Sequence, residues 1–164
     1  MEEYAKTGLD IGCGETKRHG YIGLDFRGII SVDIVADAHM LPFKDESFDH
    51  VFSSHTIEHF SHTEVNRVIT EWVRVLKKRG TIEIRCPDLR ARSLLFFLSP
   101  TWLNIMNIYG EQDYAGNFHR CGFSYGLLKN LLESYGIIRI KRIYKGYKGI
   151  PFLPDCLHVK GIKQ

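Results

Sequence analysis

The stretch "GLDIGCGE", residues 8–15, puts three glycines and two carboxylates into eight residues, and its reading decides the rest of the chain. "GLDI" alternates as a strand does, and glycine just past a strand end lets the backbone turn sharply and a ligand approach where a β-carbon would block it. A dinucleotide site would need G-x-G-x-x-G opening a helix, with an acid about 20 residues further on. Here Lys17 stands at the third glycine position, no helix fits, and Asp25 comes too early. NAD and FAD are disfavoured.

Working outward, short alternating runs at 7–11, 21–25, 32–36, 48–53, 81–86, 137–144 and 156–162 read as seven strands. Between the fourth and fifth, "SHTEVNRVITEWVRVLKK" carries a capping-box pattern, Ser61 to Glu64, and an apolar face of Val65, Val68, Ile69, Trp72, Val75 and Leu76, which predicts an amphipathic helix. Further helices are expected after Pro87-Asp88, in the apolar "WLNIMNIY" beyond Pro100, and from Ser124 to a stop at Gly136. Strand, helix, strand order implies a mostly parallel α/β sheet in one domain, residues 1–164. The early connections are too short for that pattern: nine residues join Ile11 to Tyr21 and six join Asp25 to Val32, where a crossover usually takes about a dozen residues and a helix. The helices after strands one and two are therefore expected to be missing or reduced.

A nucleoside ligand without phosphates removes the need for a helix dipole yet still wants carboxylates, for ribose hydroxyls, an adenine amine and a cationic group. S-adenosyl-L-methionine (SAM) meets that description. Asp10, Asp25 and Asp37 fall at or beyond the carboxyl ends of the first three strands, where open parallel sheets bind ligands.

The sequence here resembles the class I SAM-dependent methyltransferases, within them the compact group like the methyltransferase type 11 proteins. The resemblance lies in "LDIGCGE" (9–15), "GLD" (23–25), "ADAHMLPFKDESFDHVFSSHTIEHF" (36–60) and "RVLKKRGTIEIRCPDL" (74–89), with a looser likeness in "DYAGNFHRCGFS" (113–124). It implies a Rossmann-like seven-stranded sheet, SAM as cofactor and methyl transfer as the activity. By the same resemblance Gly12, Cys13 and Gly14 would pass along the methionine part of SAM, with Asp10 supporting the loop or the amine. Asp25 would hold the ribose diol, Asp37 and Ala38 the adenine, and His55 would lie against the methionine or its transferable methyl. "KKRG" (77–80) departs from the family, which has a proline and paired glycines there.

Methyl transfer is an in-line displacement, so alignment is the main task and a base is needed only where the nucleophile must lose a proton. Base candidates are His119, in a loop flanked by Gly116 and Gly122, and His55; Glu58, His59 and Arg120 lie beside them in sequence. No Cys or His spacing indicates a metal site or a disulfide framework, so no metal is expected.

Residues 1–82 carry 10 basic and 13 acidic groups, whereas 83–164 carry 12 and 6. The basic, tyrosine-interleaved "RIKRIYKGYKG" (139–149) is compatible with RNA, beside a small molecule or glycan precursor as the methyl acceptor. A non-catalytic SAM- or nucleoside-binding module is the alternative. The absence of a long apolar run or a signal-like start predicts a cytoplasmic protein without a membrane partner. A homodimer is expected too, on the ground that Leu9, Ile11, Tyr21, Leu24, Val32 and Ile34 offer apolar strand surface that residues 94–109 or a second copy must cover.

Overall fold

Alternation along the strands sorts their side chains onto two very different faces. In a computed structural model, which describes residues 7–143 and 156–164, seven strands form one sheet: β1 (Gly8–Ile11), β2 (Tyr21–Asp25), β3 (Ile34–Val35), β4 (Phe48–Ser54), β5 (Leu76–Pro87), β6 (Ile137–Arg142) and β7 (Cys156–Lys163). Their spatial order is β3-β2-β1-β4-β5-β7-β6. β7 runs antiparallel to both β5 and β6, and the pairings among the first five strands are parallel. The expected mostly parallel, Rossmann-like sheet is present.

One face is apolar and carries the helices. Leu9, Ile11, Leu24, Val51, Ile82, Ile84, Leu157 and Val159 form a single core with Val68, Ile69 and Trp72 of α1 (Val65–Val75) and Leu128 and Leu132 of α4 (Tyr125–Ser134). The Ser61–Glu64 pair holds the entry to α1, with the Glu64 carboxylate accepting from the Ser61 backbone N–H at 2.8 Å and from its hydroxyl at 2.6 Å. α4 begins at Ser124, whose hydroxyl accepts from the Leu127 N–H, and stops before Gly136 at φ +75°.

The opposite face is polar and needs no helix to satisfy it. Asp10, Phe52 and Glu83 stand in register across β1, β4 and β5. The Arg18 guanidinium lies 4.5 Å from the Phe52 ring centre and 4.9 Å from that of Tyr21, while Arg85 lies 5.2 Å from Phe52. Glu83 ties this layer together, 3.3 Å from Arg18, 3.5 Å from Arg85 and 2.8 Å from His158. The two early connections, 12–20 and 26–33, contain no helix, as their lengths required.

One expectation needs correction. Leu9, Ile11 and Leu24 do not present apolar surface to be covered by a second subunit, because their alternation points them into the helix-covered core. "KKRG", where the sequence departs from the family, lies within β5, with Arg79 at φ +62° and a register shift against β4 between Phe48 and His50. Several exposed apolar side chains, Phe97, Leu98, Trp102 and Leu103 among them, sit on α2 (Leu89–Leu98) and α3 (Trp102–Tyr109), which pack against each other. Among the described residues no helix is long and apolar enough to cross a membrane.

Candidate functional site

The glycine loop is folded by its own backbone. Gly12 and Gly14 adopt φ of +68° and +55°, a region where a β-carbon is strained, and the N–H groups of Gly12 and Cys13 both donate to the Leu24 carbonyl, at 2.7 and 3.1 Å. A β-carbon on residue 12 would run into the Thr56 side chain. Thr56, which sequence reasoning missed, donates its hydroxyl to the Ile11 carbonyl at 3.2 Å and so fastens the loop to the segment after β4.

Three acids mark the ends of the strands, each held differently. Asp10 is buried and accepts from the Arg18 N–H at 2.7 Å, an arrangement that supports the loop; burial pushes its carboxyl above the usual range. Asp25 accepts from the Gly14 N–H at 3.0 Å and the Arg27 N–H at 2.9 Å, with the Arg27 guanidinium 3.3 Å away. Asp37 is mostly exposed, and the His39 backbone and ring, at 2.8 and 2.7 Å, hold its carboxyl below the usual range. The Cys13 thiol is pushed up to about 11 by burial and by the nearby Asp10 and Asp25 carboxylates.

These residues line connected hollows at the carboxyl ends of the strands. One, of about 230 Å³, is walled by Gly12, Leu24, Asp25, Phe26, Asp37 and Ala38, an apolar slot with acids at its rim. The next, also about 230 Å³, shares Gly12, Asp25, Phe26 and Thr56 with it and adds Arg27, His55 and Tyr114. A third, of about 370 Å³, runs on from His55 to His59, Met106, Asn107 and His119. Arg27 lies 4.7 Å from the Tyr114 ring centre, so a β2-end cation and the 110–123 loop close over the middle hollow. Neither Arg27 nor Tyr114 carries a sequence signal of its own; the fold brings them together.

His55 stands where the second and third of these meet. It follows β4 with φ +54°, its N–H donates to the Arg85 carbonyl at 2.9 Å, and its ring touches Glu58 through Nδ1 (3.2 Å) and the Cys156 sulfur through Nε2 (3.1 Å). Those two contacts, Cys156 first, push its pKa up to about 10. His119 is drawn the other way: burial lowers its pKa and favours the neutral ring. The loop bearing His119 is held by Glu58, whose backbone carbonyl accepts from the Arg120 and Cys121 N–H groups at 2.8 and 3.1 Å. Glu58, His59 and His119, three possible ligands that their spacing in sequence does not reveal as a cluster, thereby converge, one ligand atom from each within 4.8 Å of the others.

The residues present fit SAM: a cradle in which Gly12 tolerates no β-carbon, a carboxylate at the end of β2 for a diol, and an apolar slot for a flat ring. Comparison with known proteins agrees. Residues 9–84 match the methyltransferase domain family. The whole chain superposes on the crystal structure of a SAM-dependent methyltransferase from Archaeoglobus fulgidus with a TM-score of 0.67, covering 98% of this chain and 87% of that one at 18% identity. This is a class I methyltransferase fold. The likeness to the type 11 methyltransferases holds, and SAM is the cofactor that family and fold imply.

Two curated relatives extend the methyltransferase likeness. A demethylmenaquinone methyltransferase of Thermotoga maritima is 29% identical over 134 residues, 79% of this chain and 55% of that protein. A phthiotriol/phenolphthiotriol dimycocerosates methyltransferase of Mycobacterium ulcerans is 42% identical over 81 residues, 45% of this chain and 26% of that protein. The chain thus spans about half the length of the first and a quarter of the second.

The RNA expectation loses one of its cations. Arg142 pairs with Asp88 at 2.6 Å, an acid that also caps α2. Residues 144–149 of that basic segment lie outside the described residues.

Proposed function

We propose that the protein binds SAM through the glycine loop and the hollows between Asp37 and His55, and transfers the SAM methyl group to a small molecule seated in the His119 cavity. SAM supplies an electrophilic methyl on a sulfonium, so the chain's task is to align donor and acceptor away from water. Asp25 engages the ribose hydroxyls, Asp37 and Ala38 border the adenine, and Gly12, Cys13 and Gly14 follow the methionine portion. Asp10 acts through Arg18 and the loop. His119 lines the acceptor cavity and not the donor hollows, which suits it to take a proton from an acceptor; His55 lines both and orients the two.

The observation that carries this reading is the position of His55, shared by the hollow that contains Asp25 and the cavity that contains His119. The test is calorimetry with SAM, S-adenosylhomocysteine and NAD, followed by detection of S-adenosylhomocysteine release with metabolite, glycan-precursor and RNA panels. Binding of SAM but not NAD, with turnover on a small molecule, is expected. Tight binding without turnover on any panel member would favour the non-catalytic module, and turnover on RNA alone would replace the acceptor.

A further inference from the structure

Glu58 poses a problem of its own. Its side chain is 2% exposed, and neither carboxylate oxygen receives a hydrogen bond of good geometry among the described residues. His55 Nδ1 makes an ion-pair contact with one oxygen at 3.2 Å. The His55 ring offers its charge to one oxygen only, and a buried carboxylate oxygen left without a donor is disfavoured unless a further partner is supplied.

The two neighbouring histidines are built to supply lone pairs. A backbone carbonyl can only accept, so the nitrogen facing one must carry the proton. His59 Nδ1 faces the Phe118 carbonyl at 3.1 Å, and His119 Nδ1 faces the Ile108 carbonyl at 3.2 Å. With Nδ1 engaged in this way, Nε2 is the nitrogen left to act as a ligand, and each ring's orientation is fixed by a carbonyl behind it, as metal-ligating histidines commonly are. The backbone is fixed too: the His119 N–H donates to the Tyr109 carbonyl at 2.9 Å, and the His59 N–H to the Thr56 carbonyl at 3.1 Å. One ligand atom from each of Glu58, His59 and His119 lies within 4.8 Å of the others, while ligands on bonds of about 2.1 Å sit about 3 Å apart when adjacent, so a modest inward rotation closes the set.

We propose that Glu58, His59 and His119 form a binding site for a borderline divalent cation such as Mn²⁺, Co²⁺ or Zn²⁺, in the wall of the acceptor cavity. Two imidazoles and one carboxylate match that class of ion and suit the harder Mg²⁺ and Ca²⁺ poorly. Three protein ligands leave coordination positions open, and His59 and His119 both face the cavity. A bound cation therefore meets the acceptor directly, favours one with an oxygen or nitrogen donor, and lowers the pKa of a coordinated hydroxyl. In that state His119 serves as a ligand, and the proton lost by the coordinated hydroxyl passes to water in the cavity. The site's existence does not depend on methyl transfer; its use does.

Binding is measured on the whole chain, stripped with EDTA, without SAM or acceptor, by titration with Co²⁺ read from its visible absorption and with Zn²⁺, Mn²⁺ and Mg²⁺ by calorimetry. One equivalent of Co²⁺ or Zn²⁺ at micromolar or tighter affinity is expected, weakened about ten- to hundredfold in His119→Ala and in His59→Ala. Glu58→Gln is expected to do the same, with circular dichroism and S-adenosylhomocysteine affinity as folding controls; should it unfold, the two histidine variants decide. Absence of Co²⁺ absorption at millimolar ion, a preference for Mg²⁺, or affinity unchanged in both histidine variants would overturn the site. A failure here leaves S-adenosylhomocysteine release untouched, and a protein that binds Co²⁺ but transfers no methyl group overturns the catalytic reading instead.

Discussion

The side chain of Thr56 fills the space that a β-carbon on Gly12 would need, and its hydroxyl donates to the carbonyl of the residue before that glycine. Gly12→Ala therefore meets both a left-handed backbone and a steric block. It should destabilise the fold by roughly 1–3 kcal/mol and abolish cofactor binding, read by urea denaturation and calorimetry. Adding Thr56→Ala should recover part of the stability, since the two positions touch and are not additive. Full additivity would show that the clash is not what excludes alanine.

Asp25 holds two backbone N–H groups of the loops on either side of it while facing the hollows that lie between Asp37 and His55. Asp25→Asn removes the charge yet keeps one acceptor oxygen. Affinity for S-adenosylhomocysteine should fall by about 1–3 kcal/mol through weakened charge-assisted hydrogen bonds. Unchanged affinity by calorimetry would remove Asp25 from the ribose site.

Cys13, with its thiol pushed up to about 11, is the protonated, inert form at neutral pH. Alkylation by iodoacetamide at pH 8 should run about two orders of magnitude slower than for an unperturbed cysteine and should climb steadily as pH rises toward 11. Peptide mapping by mass spectrometry gives the rate. A plateau below pH 9 would contradict the assignment.

Arg142 meets Asp88 where both are largely buried. Arg142→Ala leaves that carboxylate without its cation and should cost about 3–5 kcal/mol in denaturant unfolding, whereas Lys141→Ala, on an exposed position of the same strand, should change stability by about 0.5 kcal/mol or less. Equal effects from the two would return Arg142 to the pool of surface cations available to an anionic partner.

His119→Ala tests the acceptor side. SAM affinity should stay within about twofold, because His119 does not line the donor hollows, while turnover falls about 10²- to 10⁴-fold. Lost SAM affinity in a folded variant would move His119 out of the acceptor cavity.

The strands and the helices of this fold were legible because their signals are local: alternation in "TIEIRC", the 3.6-residue face from Val65 to Trp72, Ser124 and Gly136 at the two ends of α4. The glycine loop and its acids were legible for the same reason, each sitting at the end of its strand. What stayed hidden depends on pairing across the chain. Thr56 matters through Gly12, 44 residues away, and Arg27 through Tyr114, where no spacing rule applies. The polar face misled the reading of Leu9, Ile11 and Leu24, because apolar strand residues name a buried face without saying which layer buries it. Glu58, His59 and His119 meet only because the Glu58 carbonyl captures the loop that carries His119.

The place of β7 has a consequence for how the chain is made. It follows β6 in sequence, yet it sits between β5 and β6, so β6 reaches the sheet only through it. As the polypeptide leaves the ribosome, β1, β2 and β3 can pair early through short loops, while one edge of β5 stays open until residues 156–163 emerge. Ile82, Ile84 and Cys86 lie along that edge. The nascent chain is thus most exposed to mispairing just before β7 emerges, and a ligand that stabilises the early half does nothing to protect it there.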